Sequence, residues 1–311
     1  MASELIYTSA ERGLRPGTRG YCTVAHTRGL APAALQVMEA LSAYKSLYGV
    51  HEEVFADNPI SFSHYCSTLL GRSVSVLSRV SPVQADHTGR SNKLAHHVLL
   101  HAREYPAGGP LWLSRQPGFF LESWDGEPRL LEMPKAVPTG EEVCGKAETW
   151  EKITGDAGHA AWLPALFQKA PGQIVYLIFS PGMPMLSLLS EAMALLPAAK
   201  RWQVTYNTYF TTLPAGMSCL WRCCVPEAEI LRDVRRNPQS KILDLTEQLP
   251  PLAENAFVQL ARHGLSAEEG AAVPAEAGND PAPVRKRFEL MPRRRMNMLN
   301  AKPRTKEDGR P

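Results

Sequence analysis

The spacing of apolar and polar residues in the first hundred residues predicts a small mixed sheet. Residues 4–9 and 21–26 have the β-branched and aromatic content of strands, and a Gly- and Pro-rich stretch joins them as a hairpin. Residues 60–65 and 73–80 alternate apolar and polar side chains, as half-buried strands do. These four segments predict the core of an N-terminal domain.

One helix is predicted between the two pairs of strands. Pro32 suits the first turn of this helix, and Gly49 suits the position just past its end. Apolar residues recur between them at helical spacing: Leu35, Met38, Leu41 and Tyr44. The pattern predicts a helix that reaches almost to Gly49.

After residue 140 the pattern changes to one in which strands and helices alternate. Residues 173–179 form a nearly continuous apolar run, which is typical of a strand buried on both faces. Helices are predicted over residues 148–169, 186–196 and 227–236, and strands over residues 202–210, 218–225 and 241–245. A turn at Pro214–Gly216 is expected to join two of these strands as a hairpin. The order β-α-β-β-α-β fits an α/β or ferredoxin-like unit.

The fold class predicted for the whole chain is therefore α+β or α/β, in three parts. An N-terminal α+β domain with a mixed sheet is expected over residues 1–140, because a Pro-rich linker follows it. A second α/β unit is expected over residues 141–264. Residues 265–311 are rich in Ala, Glu, Gly and Pro and then in basic residues, which predicts a disordered tail.

The net charge of +3 is divided unevenly along the 311 residues. From Arg285 onward, ten Lys or Arg face three acidic residues, so this segment carries +7 and residues 1–284 carry −4. A basic tail is either a solvated end or a weak, salt-dependent binding site for nucleic acid. Nucleic-acid binding by the tail is therefore one open alternative.

Polar functional groups are concentrated in residues 86–101. This stretch holds four of the nine histidines and a Gly89-Arg90 turn, and it ends in an apolar run. As a helix it would place His97 and His101 one turn apart, where a pair of histidines can bind a metal, but no third ligand is indicated. Because the run is short and follows a turn, we predict a strand with no metal site.

Anion binding is a second possibility, at the loop between the first two strands. Arg12, Arg15 and Arg19 alternate with three glycines there, and guanidinium groups beside bare backbone N–H groups suit phosphate. The loop lacks the Gly-Lys-Ser/Thr ending of a nucleotide-binding loop. The turn Ser180–Gly182, after the apolar strand, lacks one as well and is interpreted as an ordinary tight turn.

Composition adds two further expectations. The six cysteines form no CxxC pair, which favours buried thiols; in a strand, Cys219 and Cys223 would share one face and Cys224 the other. The chain has no apolar run long enough to cross a membrane and no basic segment followed by an apolar one at its start. A cytoplasmic protein without a cofactor is expected.

Three stretches together resemble a known family. They are residues 5–10 with 17–23, the element Gly89–His96, and residues 202–210 with the Leu213–Gly216 turn. The chain resembles, over residues 4–246, the N-terminal domain of bacterial GTPase-associated proteins, which belong to predicted GTPase-centred conflict systems. The resemblance implies an adaptor or regulatory module whose partner is a small GTPase or an effector, and it implies no catalytic mechanism.

The sequence leaves an enzyme as the main alternative to the adaptor. A hydrolase would use the cluster Arg90, Asn92 and His96 with Tyr7 or Ser9 as further catalytic candidates. Such a site requires a histidine base and a nucleophile within hydrogen-bonding distance. For the adaptor, a binding edge is expected at Arg90 and Asn92, and Arg15 and Arg19 are the candidate anion-binding residues.

Overall fold

The computed structural model describes residues 1–69 and 71–265 of the chain. Within these residues the chain forms one ten-stranded mixed sheet with eight α-helices, which confirms the predicted mixture of α and β structure. Of the predicted tail, only Leu265 belongs to the described residues, so the disorder and the nucleic-acid binding expected there lie outside them.

The first half of the chain supplies six strands and two helices. They are β1 (Ser3–Ala10), β2 (Gly20–Thr27), α1 (Pro32–Ala40), β3 (Ser61–Leu69), β4 (Arg72–Val83), β5 (Asn92–His101), α2 (Gly109–Ser114) and β6 (Arg129–Leu131). Strand β5 contains the histidine-rich stretch, so the predicted strand is confirmed and the helical alternative is wrong.

The second half supplies the remaining elements. They are α3 (Glu148–Thr154), α4 (Trp162–Lys169), β7 (Val175–Ile178), α5 (Met185–Ala194), α6 (Ala198–Arg201), β8 (Tyr206–Asn207), β9 (Trp221–Cys224), α7 (Leu231–Arg236), β10 (Lys241–Asp244) and α8 (Ala256–His263). The predicted order β-α-β-β-α-β is present from β7 to β10, with α6 as an addition.

The sheet has the strand order β10-β7-β9-β8-β3-β4-β5-β1-β2-β6. The strands from β3 to β2 pair antiparallel, whereas β10, β7, β9 and β8 pair parallel. Strand β8 joins the two regions because it pairs antiparallel with β3, through Ser63 opposite Asn207 and His64 opposite Tyr206. The sheet therefore continues across the boundary predicted near residue 140.

The length of α1 and the connection between β8 and β9 differ from the sequence-based predictions. Helix α1 ends at Ala40 instead of continuing toward Gly49, and the α1–β3 loop (residues 41–60) follows. The expected hairpin at Pro214–Gly216 is absent because β8 and β9 pair parallel, with Tyr206 opposite Trp221. Residues 208–220 thus return the chain to the start of β9 as a crossover.

The two faces of the parallel strands carry separate cores. Leu177 and Cys223 pack with Leu188 of α5, whereas Ile178 and Cys224 pack on the other face with α7. The six cysteines are unpaired thiols. Cys219 packs in the core of Cys224 and not, as expected, in that of Cys223, because β9 begins only at Trp221.

Candidate functional site

The turn between β4 and β5 is built around one carboxylate. Asp86 Oδ1 accepts hydrogen bonds from the backbone N–H of Thr88 at 2.8 Å, from the Thr88 hydroxyl at 2.6 Å and from the backbone N–H of Arg90 at 3.1 Å. Its other oxygen accepts from the Ser9 hydroxyl at 2.8 Å. These bonds, chiefly that from the Thr88 hydroxyl, hold the pKa of Asp86 far below its usual range. A carboxylate that stays ionised is a weak base, so its role here is to shape the turn.

Asn92 fixes the end of β1 beside this turn. Its side-chain oxygen accepts from the backbone N–H of Ser9 at 3.0 Å and of Lys93 at 2.7 Å, and from the Thr8 hydroxyl at 3.2 Å. The amide oxygen is thus occupied within the protein. Asn92, predicted as a binding residue, is placed where it fixes the end of β1 beside the start of β5.

Two tyrosines cover the neighbouring surface of β1 and β2. The Tyr7 and Tyr21 rings stack with centroids 6.4 Å apart, and the Tyr21 hydroxyl donates to the Ser91 carbonyl at 2.7 Å. The Lys93 ammonium lies 4.9 Å from the centre of the Tyr21 ring, and burial lowers the pKa of Lys93. Tyr21 nevertheless remains 46% exposed. Tyr7 therefore supports an exposed aromatic residue at this edge.

These elements enclose an open groove of about 800 Å³, the signature groove, lined by Ser9, Tyr21, His51, Asp86 and Arg90 among others. Of the predicted binding residues, the exposed Arg90 lines it directly. Arg15 and Arg19 are exposed but lie outside its lining, and Arg15 is 3.9 Å from Glu39. The side chains of Arg15 and Arg19 therefore do not share this groove with Arg90, although Gly20, at the end of the arginine loop, lines it.

His96 lies on the opposite face of the sheet from Tyr7 and Ser9. It stands opposite Ile6 in the β1–β5 ladder, whereas Tyr7 stands opposite Ala95, and adjacent positions on a strand face opposite ways. His96 is fully buried: its Nδ1 accepts from the Leu121 N–H at 2.9 Å, which leaves Nε2 to donate to Glu4 at 2.9 Å. Burial lowers the pKa of His96.

The residues of the hydrolase hypothesis are consequently separated. The histidine that would act as base has both ring nitrogens bonded inside the protein, and the hydroxyls of Tyr7 and Ser9 lie across the sheet from it. Within residues 1–69 and 71–265, no three His, Cys, Asp or Glu side chains are grouped so that they could hold a metal ion. None of the helices described has the length and apolar character needed to cross a membrane.

A second candidate site, which the sequence did not indicate, lies in the parallel region. The chain leaves β7 through α5 toward β8, and it leaves the neighbouring β9 through α7 toward β10, on the other side of β7. Ligands of open α/β sheets bind outside the carboxyl ends of the strands at such a reversal. Cavities of about 360 and 300 Å³ lie there, the first beside Val225 and the second beside Phe179.

The only sequence signal for this second site was the turn after β7. Ser180–Gly182, interpreted as an ordinary turn, follows the buried strand at the point of reversal, and Gly182 has a φ of 89° and lines the smaller cavity. The reversal depends on the order of strands in space. A single sequence does not specify that order, so the site could not be found without the structure.

Two family models match the chain. Residues 1–136 match the description "GTPase-associated protein 1, N-terminal domain type 2", and residues 147–247 match "GTPase-associated protein 1, middle domain". No curated protein and no solved structure is similar enough to count as a match. The resemblance that the sequence indicated is confirmed, with its second half assigned to the middle domain instead of the N-terminal one. The chain belongs to the GTPase-associated protein 1 family and contains the N-terminal and middle domains of that family.

Proposed function

We propose that this protein is a non-catalytic adaptor that binds a small GTPase through the signature groove. The family name supports a GTPase-linked role. The observation that carries the proposal is that the groove holds exposed recognition side chains on a rigid frame, while the histidine that catalysis would need lies across the sheet. The same reasoning extends to an effector that acts with the GTPase in a conflict system.

The groove has the properties of a protein-binding site. Tyrosine and arginine carry much of the energy at protein interfaces, and Tyr21 and Arg90 are exposed in this groove, together with His51 and Glu52. The backbone beneath them is held by Asp86 and Asn92, so binding costs little ordering of the protein. Such an edge selects a partner that offers a carboxylate to the Arg90 guanidinium beside an apolar contact for Tyr21.

A binding measurement with a small GTPase encoded in the neighbourhood of this protein's gene tests the proposal. The purified GTPase, loaded with GDP or with a non-hydrolysable GTP analogue, would be titrated with this protein by calorimetry. We expect binding to at least one nucleotide state and a loss of about tenfold in affinity for Arg90→Glu, because the reversed charge repels the partner's carboxylate.

The matched control is Arg235→Glu, an exposed arginine on α7 that does not line the groove. This variant is expected to bind like the unmodified protein. Absence of binding in both nucleotide states would overturn the adaptor proposal. Equal losses for the two arginine variants would show that only the net charge matters and would overturn the role of the groove.

A further inference from the structure

One loop connects the two candidate sites. The α1–β3 loop enters β3 at the same end of the sheet where β8 ends, because these strands are antiparallel. The carboxyl ends of β7 and β9 lie at that end as well, since both run parallel to β8. Strand β4 runs antiparallel to β3 and therefore finishes at this end of the sheet. The turn that joins β4 to the antiparallel β5, and that carries Arg90, lies there as well.

Residues of this loop line three separate cavities along this end of the sheet. His51 and Glu52 line the signature groove. Tyr44 and Leu47 line the cavity of about 360 Å³ with residues that follow β9, and Ile60 lines the cavity of about 300 Å³ with residues that follow β7. The loop therefore borders both the groove of the N-terminal domain and the strand reversal of the middle domain.

The loop is held in one conformation by a buried side chain. Asn58 is 4% exposed and makes four hydrogen bonds: it accepts from the N–H groups of Leu47 and Tyr48, and it donates to the carbonyls of Tyr48 and Phe55. At the base of the loop the Tyr44 hydroxyl donates to the Pro59 carbonyl at 2.7 Å. From the middle domain, the Tyr209 hydroxyl donates to the Lys45 carbonyl at 2.7 Å. A compact loop fixed in this way presents a preorganised surface.

The outer face of the loop combines apolar and acidic side chains. Val54 and Ile60 are 43% and 41% exposed, so both are accessible for an apolar contact. The loop and the segment after β9 also expose acidic side chains: Glu52, Glu53, Asp57, Glu227 and Glu229. Lys45, which is 3.3 Å from Glu229, is the one lysine or arginine of the loop.

We propose that the α1–β3 loop, with residues 225–229, forms a second docking surface for the same GTPase, and we call it the sheet-end surface. The inference rests on the proposed function. The occupant is a face of the GTPase that presents Lys or Arg side chains around an apolar anchor. The basic groups pair with the acidic side chains, and the anchor packs on Val54 and Ile60. Because the loop also borders the signature groove, one partner contacts both domains.

The decisive variant reverses two charges on the loop. Glu53→Lys with Asp57→Lys changes exposed side chains for which the structure gives no hydrogen bond, so the fold is expected to persist. We expect the affinity for the GTPase to fall at least about tenfold, with a weaker dependence on salt than in the unmodified protein. Val54→Ser, which removes the apolar contact without changing the charge, is expected to weaken binding as well.

The matched control is Asp233→Lys with Glu148→Lys, a pair of exposed acidic residues that lie on α7 and α3 and line none of the three cavities. This pair is expected to keep the original affinity. Hydrogen exchange of the complex is expected to show protection over residues 43–60 and 225–229.

The outcomes separate the two proposals. Binding that Arg90→Glu weakens but the loop variants leave unchanged would overturn the sheet-end surface and keep the adaptor. No binding in either nucleotide state would overturn both. A concentration-dependent dimer of this protein that Glu53→Lys with Asp57→Lys abolishes would show that a second copy occupies the surface, and would overturn the assignment to the GTPase.

Discussion

The antiparallel and parallel regions of the sheet bury different chemistry. Strands β3, β4 and β5 bury polar side chains among their apolar ones: Ser61, Ser63, His64, Ser75, Ser78, Arg79, Ser81, His96 and His97. In β7, β9 and β10 the buried side chains are apolar, aromatic or thiols, apart from Arg222 of β9. The region that is richer in functional groups is thus the one that uses them to build its core.

Each buried histidine of the antiparallel region has partners for both ring nitrogens. His97 bonds to Ser42 at 2.8 Å and to Ser78 at 2.6 Å, and His64 bonds to Ser75 and to the Val204 carbonyl, both at 2.8 Å. Burying a polar group without a hydrogen-bond partner would destabilise the fold by roughly several kcal/mol. The histidine-rich sequence therefore indicates a hydrogen-bonded core, while the parallel strands, which carry few polar groups, form the kind of reversal at which open α/β sheets commonly bind ligands.

The largest effect on the free energy of unfolding is expected at Arg201, which links segments from the two halves of the chain by hydrogen bonds. The guanidinium of Arg201, 7% exposed, donates to four backbone carbonyls: those of Ala194 and Leu196 at 3.0 Å, and those of Ala107 and Glu142 at 3.3 Å. Arg201→Ala is expected to lower the free energy of unfolding by about 3 kcal/mol, since it leaves buried carbonyls without donors. Urea denaturation measures this loss.

Arg201→Lys serves as the control for that variant. The lysine ammonium keeps the positive charge, but it lacks the planar set of donors with which the guanidinium reaches four carbonyls. The loss in the free energy of unfolding is therefore expected to be smaller than for Arg201→Ala. A loss below about 1 kcal/mol for Arg201→Ala would show that the junction depends on strand pairing between β3 and β8 instead.

A cavity in the parallel region is expected to have the next largest effect. Leu177 is fully buried and lies between Leu243 and Cys223 in the sheet. Leu177→Ala is expected to lower the free energy of unfolding by about 3 kcal/mol, because it leaves a cavity in an apolar core. Thermal or urea unfolding measures this loss. Ile242→Ala, on the partly exposed edge strand, is the control and should cost clearly less. Equal losses would contradict the view that this region depends on its apolar interior.

Lowering the pH is expected to destabilise the fold through the buried histidines of the antiparallel region. Burial lowers the pKa of His64 to about 4 and that of His97 to about 3. Below the ordinary value near 6.5, the unfolded chain binds protons that the folded chain does not, so stability falls as the pH falls from 6.5. We expect a loss of about 1 kcal/mol per pH unit for each histidine between pH 6 and 5.

Urea midpoints measured across that range test this expectation. His97→Gln is expected to reduce the slope of stability against pH, whatever its effect on stability at pH 7. The variant His87→Gln, in the exposed β4–β5 turn, provides the control for removing a histidine that is not buried. A slope that is the same in all three proteins would contradict the assignment to the buried histidines.

Much of the local structure followed from the sequence because it depends on neighbouring residues. Alternating side chains identified β3 and β4, a short run after a turn identified β5, and the apolar run of residues 173–179 identified β7. The turn with Arg90 was predicted as a binding edge and lines a groove, and the family was recognised from short motifs. The end of α1 was missed because Asn58, eighteen residues beyond Ala40, holds the loop that replaces the expected helix.

The sequence by itself determined the kinds of elements, their order and the family. The tertiary structure alone decided which face of β5 each histidine takes, that β8 pairs parallel with β9, and that the α1–β3 loop borders both domains. The physical reason is that periodicity records only whether a side chain is buried. Which strand lies beside it, and which hydroxyl or carbonyl satisfies it, depends on segments far away in the chain.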